Sequence, residues 1–250
     1  MASPKRRPGW GGVLITLYFW TAFLVTAPVG LLLGGLAFLV ALPFDPDRRL
    51  VHAFLTRWCF DYLRLNPLWK VEVRFRDRIP ARPCVFILNH RSMADVVAAM
   101  GLYGTFKFVS KASLFRLPAV GWMMRLARYV ELERGQLSST RRMWAACRAF
   151  LERGVSILLF PEGTYATGPE GTLLPFRRGA FALAIELGVP IVPVTLEGTS
   201  SLVHEDGPWM NARARVRITV LPPLMPDALG TDAQALADRV RDLMTAALQN

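Results

Sequence analysis

Residues 13–42 form a run of 30 positions without a charged side chain, and this run constrains the fold more than any other feature. As one straight helix it would be about 45 Å long, whereas the hydrocarbon core of a bilayer is about 30 Å thick. Pro28 lies near its middle, and each half alone, about 20 Å long, is too short to span. The run therefore predicts a membrane-embedded segment, either one tilted and kinked transmembrane helix or a helical hairpin within one leaflet.

Basic residues flank this run on both sides: Lys5, Arg6 and Arg7 before it, and Arg48, Arg49 and Arg57 after it. Because positively charged flanks tend to stay in the cytoplasm, the pattern places both ends of the run on that side and favours the hairpin. A cleaved signal peptide is the alternative. The apolar stretch is too long for one and continues past any small-residue cleavage site.

The composition agrees with a membrane-associated protein that meets anionic partners. Hydrophobic residues make up 52% of the 250 residues, the mean hydropathy is +0.30, and the formal net charge is +11. A basic surface attracts nucleic acid, anionic lipid or phosphorylated substrates. Because the sequence has no zinc-finger spacing, no aromatic RNA-reading strand and no long basic tail, we expect membrane lipid rather than nucleic acid as the partner.

The cysteines and histidines are too widely spaced for a disulfide framework or a metal site. They are Cys59, Cys84, Cys147, His52, His90 and His204. We therefore expect no metal, no cofactor and a reducing compartment.

Strand-like and helix-like segments alternate after residue 50. Strands are predicted at 71–75, 84–88, 156–160, 189–196 and 213–220, from period-two alternation or short apolar runs. Helices are predicted at 93–102, 120–127, 138–152, 179–187 and 232–248, with Ser138 capping the third and Gly154 and Gly188 as helix ends. The pattern predicts an α/β fold with a mixed central sheet flanked by helices. It also divides the chain into an N-terminal anchor, residues 1–50, and an α/β domain, residues 51–250.

The first motif that carries chemistry, NHRSMAD, follows a buried strand with Asn89 and His90 and ends at Asp95. Reactive groups of open α/β folds gather at the carboxyl ends of strands. A neutral imidazole there can take a proton from a hydroxyl, and does so better when a carboxylate holds its other nitrogen. The two side chains can meet only if His90 precedes the helix and the chain turns at Arg91 and Ser92, with Ser92 as a helix cap. Alone, the motif indicates a capping or core histidine beside a solvated acid more often than a catalytic pair.

The second motif, FPEGT, follows the buried strand at 156–160 in the same way. Pro161 and Gly163 predict a tight, rigid loop, and Thr164 adds a hydroxyl and a backbone N–H. Such a loop can hold a phosphate or orient a substrate. The alternative is a plain turn, for which Glu162 after a buried apolar run would be unusual.

NHRSMAD together with FPEGT resembles the motifs of the glycerolipid acyltransferase family. Two further blocks follow the family's order: residues 130–134, which end in Arg134, and the proline-containing apolar strand at 189–194. The basic segment at 175–180, which contains Arg177, and Lys111 also fall where the family carries basic residues. The resemblance covers residues 66–223.

The resemblance implies that residues 51–250 are the catalytic domain of a membrane-bound O-acyltransferase on the cytoplasmic side of the cell inner membrane. Such an enzyme moves a fatty acyl chain from acyl-CoA or acyl-carrier protein to the free hydroxyl of 1-acylglycerol-3-phosphate, giving phosphatidic acid. It implies that His90 is the general base and Asp95 orients it. The residues expected to bind substrate are Arg134, Glu162, Gly163, Thr164, Lys111 and Arg177.

Two departures from the family pattern leave the acceptor open. Tyr165 follows FPEGT where the family often has Arg or Ser, and Glu133 stands before Arg134 where Asp is usual. The alternative for Arg134 is a surface ion pair with Glu131 or Glu133.

Three other functions remain as alternatives. One is transfer to another lysolipid, such as lyso-ornithine lipid, and another is a lipid hydrolase that uses the His-Asp pair on water. A non-catalytic membrane-binding module is the third, although such a module needs neither His90 nor Asp95. The sequence leaves the acyl donor, the acyl chain length and the oligomeric state open.

Overall fold

The computed structural model describes residues 9–203, 209–228 and 230–249. Lys5, Arg6 and Arg7, which the sequence places before the membrane segment, lie outside these ranges, as does His204.

Seven strands within the described residues form one mixed sheet. They are β1 (Trp69–Arg74), β2 (Val85–Leu88), β3 (Phe106–Lys111), β4 (Val130–Leu132), β5 (Ser156–Leu159), β6 (Ile191–Glu197) and β7 (Ala214–Val220). The strand order is β1-β7-β6-β2-β5-β3-β4. The five strands from β6 to β4 are parallel, β7 is antiparallel to β6, and β1 is parallel to β7. The predicted α/β fold with a mixed central sheet is confirmed.

Eight helices within the same residues surround the sheet. They are α1 (Trp10–Ala41), α2 (Arg49–Tyr62), α3 (Ala94–Ala99), α4 (Ala112–Phe115), α5 (Val120–Leu126), α6 (Leu137–Glu152), α7 (Gly179–Leu187) and α8 (Ala233–Leu248). Short 3-10 turns occur at Arg76–Arg78, Met100–Leu102, Thr199–Ser201 and Pro226–Ala228.

The central strand β2 is apolar at every position because helices cover both faces of the sheet. In β2, Phe86 and Leu88 join the core on the side of α2, α3 and α5, whereas Val85 and Ile87 join the core on the side of α6, α7 and α8. All four side chains are at most 1% exposed. The edge strand β1 instead alternates, with its charged side chains exposed.

The sequence located five of the seven strands and five of the seven helices that follow α1. Gly154 and Gly188 follow α6 and α7 with φ of +80° and +58°, as predicted for helix ends. The predicted cap at Ser138 is wrong, because α6 begins one residue earlier and the neighbouring Ser139 hydroxyl accepts the hydrogen bond from Glu133 N, at 2.9 Å. Helix α2 and strand β3 were not predicted; in β3, Lys107 interrupts the apolar pattern although its side chain is fully buried.

Helix α1 is continuous through Pro28, so the predicted hairpin within residues 13–42 is wrong. Small residues explain why the helix does not break. Gly30 lies against the ring of Trp58 in α2, and Gly34 lies against Met123 in α5, at distances that leave no room for a Cβ atom. This close packing compensates for the hydrogen bond that proline removes. Helix α1 is long and apolar enough to cross a membrane. Among the described residues, it is the one helix of which this is true.

The packing of α1 extends along its whole length. Near its beginning the Thr16 hydroxyl accepts a hydrogen bond from Met210 N at 2.8 Å, and near its end Phe38 lies under the guanidinium of Arg48. The division of the chain into an anchor and a domain at residue 50 stays a prediction.

Lys107 connects the amino end of β3 to the turn between α1 and α2. Its Nζ donates to the carbonyl of Ala127 at 2.7 Å and to that of Arg48 at 3.4 Å. Burial lowers the pKa of Lys107 to about 7, against the opposing charges of Asp45 and Asp47. In the unfolded chain a lysine has a pKa of about 10.4. Between these values the unfolded chain holds a proton that the folded protein has released, so the free energy of unfolding rises with pH.

We expect the Lys107→Met variant to lack this pH dependence. Between pH 7 and pH 9, the free energy of unfolding of the wild-type protein should rise by about 2 kcal/mol more than that of the variant. Unfolding of both full-length proteins in the same detergent at the two pH values measures the difference. Parallel pH dependence in the two proteins would show that Lys107 does not titrate in this range.

Candidate active site

The two sequence motifs meet at one edge of the sheet. β2 and β5 are neighbouring parallel strands, with Ile87 paired to Leu159. The loops that leave their carboxyl ends, at 89–93 and 160–164, therefore emerge side by side. A hydrogen bond joins them directly, since Ala166 N donates to His90 O at 2.7 Å.

The His90 imidazole is bonded to the Asp95 carboxylate. His90 Nδ1 lies 2.8 Å from Asp95 Oδ2, and Asp95 is fully buried. The same carboxylate oxygen accepts hydrogen bonds from Arg91 N at 2.6 Å and Ser92 N at 2.8 Å. The chain thus turns at residues 91–92, before α3, and the Ser92 hydroxyl accepts from Ala94 N at 3.2 Å. With Nδ1–H donating to Asp95, the lone pair on Nε2 is available for a proton.

Asn89 holds the base of this loop in place. Its side-chain amide donates to Leu196 O and accepts from Leu196 N, both at 2.8 Å. The residue is 2% exposed, so it cannot contact a ligand directly. Sequence reasoning did not assign a role to Asn89; the structure makes it the link between His90 and the end of β6.

Glu162 lies beneath His90 rather than facing the open space of the site. Its Oε1 accepts a hydrogen bond from His90 N at 2.8 Å, and its Oε2 accepts one from Leu174 N at 2.9 Å. Burial raises the pKa of the Glu162 carboxyl, and the two backbone N–H groups and His90 oppose that rise. Glu162 was predicted to bind substrate, but both of its oxygens are occupied inside the protein.

Two aromatic rings enclose the His90 imidazole. The Phe160 ring stacks on it with centroids 4.0 Å apart and an interplanar angle of 21°. Tyr165 lies at 4.3 Å, tilted by 56°, and its hydroxyl donates to Met93 Sδ at 2.7 Å. Sequence reasoning noted Tyr165 only as a departure from the family pattern; the structure gives it a contact with His90.

Gly163 and Arg177 are in contact above this loop. Gly163 has φ of +71°, a conformation that favours glycine, and a Cβ atom there would lie 2.7 Å from Arg177 Nε. The Arg177 guanidinium therefore covers the glycine, and Arg177 N donates to Pro161 O at 3.0 Å. Thr164, next in the loop, is exposed.

Arg134 and Lys111 lie at the same edge of the sheet, after β4 and at the end of β3. Both are exposed, and among the described residues no ion pair joins Arg134 to Glu131 or Glu133. Burial and the charge of Asp95 raise the pKa of Tyr165, and the charge of Arg134 opposes that rise. Arg134 is therefore within electrostatic reach of the aromatic ring that covers His90.

The site thus presents one unpaired imidazole nitrogen at an edge that carries exposed cationic side chains. This arrangement can remove a proton from a ligand hydroxyl and attract an anionic group beside it.

Known proteins share both the sequence and the fold of this chain. The model of the family described as Acyltransferase matches residues 70–197, just over half of the chain. A chloroplastic 1-acyl-sn-glycerol-3-phosphate acyltransferase of Brassica napus is 32% identical over 202 residues, 80% of this chain and 56% of that protein. A 1-acyl-sn-glycerol-3-phosphate acyltransferase of Pseudomonas aeruginosa is 30% identical over 209 residues, 81% of this chain and 78% of that protein.

A solved structure has the same fold. It is the 1-acyl-sn-glycerophosphate (LPA) acyltransferase PlsC of Thermotoga maritima, with a TM-score of 0.75, 24% identity and 95% of each chain covered. The resemblance inferred from the motifs is confirmed. By the family match and the identity to these relatives, the chain belongs to the acyltransferase family.

Proposed function

We propose that this protein transfers a fatty acyl chain from acyl-CoA or acyl-carrier protein to the free hydroxyl of 1-acylglycerol-3-phosphate, forming phosphatidic acid. The observation that carries the proposal is the 2.8 Å bond between His90 Nδ1 and Asp95 Oδ2, which leaves Nε2 open at the edge of the sheet. The names of the Brassica napus and Pseudomonas aeruginosa relatives support this acceptor.

In the proposed reaction, His90 Nε2 takes the proton of the acceptor hydroxyl while that oxygen attacks the thioester carbonyl carbon. A C–O bond forms, the C–S bond breaks, and the imidazolium returns the proton to the leaving thiolate. Asp95 stabilises the imidazolium between these steps. Attack is direct, because burial raises the pKa of the thiols of Cys59, Cys84 and Cys147 to about 12 and keeps them from acting as nucleophiles.

The acceptor's phosphate is held by exposed cations at the same edge. Arg134 and Arg177 can each donate paired hydrogen bonds to phosphate oxygens, and Lys111 supplies a further charge. Thr164, which is exposed, offers its backbone N–H and its hydroxyl beside them, whereas the Gly163 N–H donates to Phe160 O at 3.1 Å. Glu162 acts as a positioning residue, since its carboxylate holds the backbone of His90.

We place α1 in one leaflet of the cell inner membrane, with the catalytic domain on the cytoplasmic side. Its exposed side chains are large and apolar along the helix, for example Leu14, Leu24, Leu32 and Leu39. Because the opposite side of α1 packs on the domain over its full length, a helix that crossed the bilayer would draw the domain into hydrocarbon. Labelling that found a tag before Val13 across the membrane from the domain would rule out this placement.

We expect His90→Ala to abolish transfer and leave the fold intact. Asp95→Asn should retain more activity than His90→Ala and still be strongly impaired, because general base catalysis contributes about 10²–10⁴-fold. Turnover of a labelled acyl donor, with circular dichroism as the folding control, measures both variants. Wild-type turnover in His90→Ala would exclude the proposed mechanism.

Substitution of Glu162 separates a positioning role from head-group binding. Glu162→Gln keeps one acceptor oxygen but turns an NH₂ group toward a backbone N–H, so His90 should shift. We expect kcat to fall about tenfold, with little change in the KM of the acceptor. Glu131→Gln, the same change at an exposed carboxylate in β4, is the matched control. A raised KM at unchanged kcat would instead assign Glu162 to the head group.

Arg134→Ala tests the phosphate acceptor. Each hydrogen bond to a charged group is worth roughly 1.5–3 kcal/mol, so the KM for 1-acylglycerol-3-phosphate should rise about tenfold or more. The effect should be much smaller for lyso-ornithine lipid, which has no phosphate. Kinetics of both proteins with both acceptors decide the question. Efficient wild-type transfer to lyso-ornithine lipid, with none to 1-acylglycerol-3-phosphate, would refute the proposed phosphate acceptor. Release of free fatty acid in the absence of any acceptor would indicate a hydrolase.

A further inference from the structure

A cavity of about 530 Å³ lies between α1 and α5, away from His90. It is lined by Phe38, Arg48, Trp122, Arg125, Leu126 and Arg128. Arg48 precedes α2, beside the buried Lys107 at the beginning of β3, and Arg128 precedes β4. The cavity is therefore at the amino ends of the parallel strands, the edge of the sheet opposite His90.

The lining of this cavity carries three guanidinium groups and no carboxylate. Arg48 Nη1 donates to Asp45 O at 2.8 Å, and Arg128 Nη1 donates to Pro46 O at 2.7 Å. These carbonyl partners orient the two side chains without neutralising them. The Arg125 side chain has no hydrogen bond or ion pair within the described part of the chain.

The two acids of the turn between α1 and α2, Asp45 and Asp47, are engaged elsewhere. Asp45 Oδ2 accepts a hydrogen bond from Leu50 N at 2.9 Å, and Asp47 pairs with Arg153 at 2.8 Å. The carboxylates thus stabilise the turn between α1 and α2, and the cavity keeps an excess of positive charge.

The backbone at two of the three arginines is strained. Arg48 has φ of +56° and Arg128 has φ of +55°, in the left-handed region. For a residue with a Cβ atom this conformation costs on the order of 1–2 kcal/mol, and such residues concentrate at ligand sites. Both residues line the same cavity.

The remaining walls are apolar and adjoin the membrane-facing surface of α1. Phe38 belongs to α1, and the Arg48 guanidinium lies 4.6 Å from the centre of its ring. Trp122 is 55% exposed, and its neighbour Met123 contacts Gly34 of α1. A tryptophan beside arginines is typical of the boundary between hydrocarbon and head groups.

We propose that this cavity binds the phosphate of an anionic membrane phospholipid, with the arginines around the phosphate and the lipid chains leaving past Trp122 and α1. Charge complementarity supports the head group, and the apolar walls beside α1 support a lipid rather than a soluble anion. This proposal depends on the proposed membrane placement of α1. The cavity takes no part in acyl transfer. Its effect is to bind the sheet edge opposite His90 to the membrane surface.

Lipid binding to the full-length protein in a neutral detergent tests the site. Native mass spectrometry gives the affinity for dioleoylphosphatidylglycerol and, as a zwitterionic comparison without net charge, for dioleoylphosphatidylcholine. Arg125→Gln is the variant to use, because the described contacts of the Arg125 side chain include no hydrogen bond or ion pair that holds the fold. We expect it to weaken phosphatidylglycerol binding about tenfold and to leave phosphatidylcholine binding unchanged.

Arg82→Gln is the matched control, since Arg82 is exposed and outside the cavity. Its phosphatidylglycerol affinity should equal that of the wild type, and acyl transfer by Arg125→Gln in detergent should be unchanged. An equal loss of phosphatidylglycerol affinity in the two variants would mean that the lipid is attracted by the basic surface as a whole, and would overturn the proposed binding site. Displacement of the lipid by excess inorganic phosphate would overturn its assignment to a lipid. Failure of wild-type transfer to any lysolipid would refute the proposed activity alone, because the binding measurement does not depend on it.

Discussion

The parallel pairing of β2 with β5 is the constraint on which the rest of the site depends. It places the ends of two strands side by side, so that His90 and Glu162, 72 residues apart in the chain, meet in one hydrogen bond. The buried Glu162 carboxylate needs such partners, because an unpaired buried charge is costly. By accepting from His90 N and Leu174 N, it connects the first motif, the second motif and the loop that follows.

This arrangement holds His90 from several directions and leaves one direction open. Asp95 binds Nδ1, Glu162 binds the backbone N–H, and the rings of Phe160 and Tyr165 lie against the imidazole. Among the described residues, none hydrogen-bonds to Nε2. An imidazole held in this way needs little rearrangement when a hydroxyl arrives, which is the condition for efficient proton transfer in the proposed reaction.

The high positive charge and the apolar character of the chain have a common structural basis. Cationic side chains gather at both edges of the sheet, with Arg134 and Arg177 near His90 and Arg48 and Arg125 in the cavity at the other edge. Helix α1 runs past both ends, from its contact with Met210 to its contact with Arg48. One apolar helix flanked by cations suits a protein that lies along an anionic membrane surface.

The sequence by itself determined the buried strands β2, β5 and β6, the glycine helix ends and the two motifs, because period, side-chain volume and the left-handed conformation of Gly154 and Gly188 are local properties. Only the tertiary structure decided what depends on distant partners. The packing of Gly30 on Trp58 keeps α1 continuous past Pro28, against the local tendency of proline to end a helix. The direction of the Glu162 side chain likewise follows from the pairing of two strands. No local pattern encodes these contacts, since each joins residues far apart in the chain.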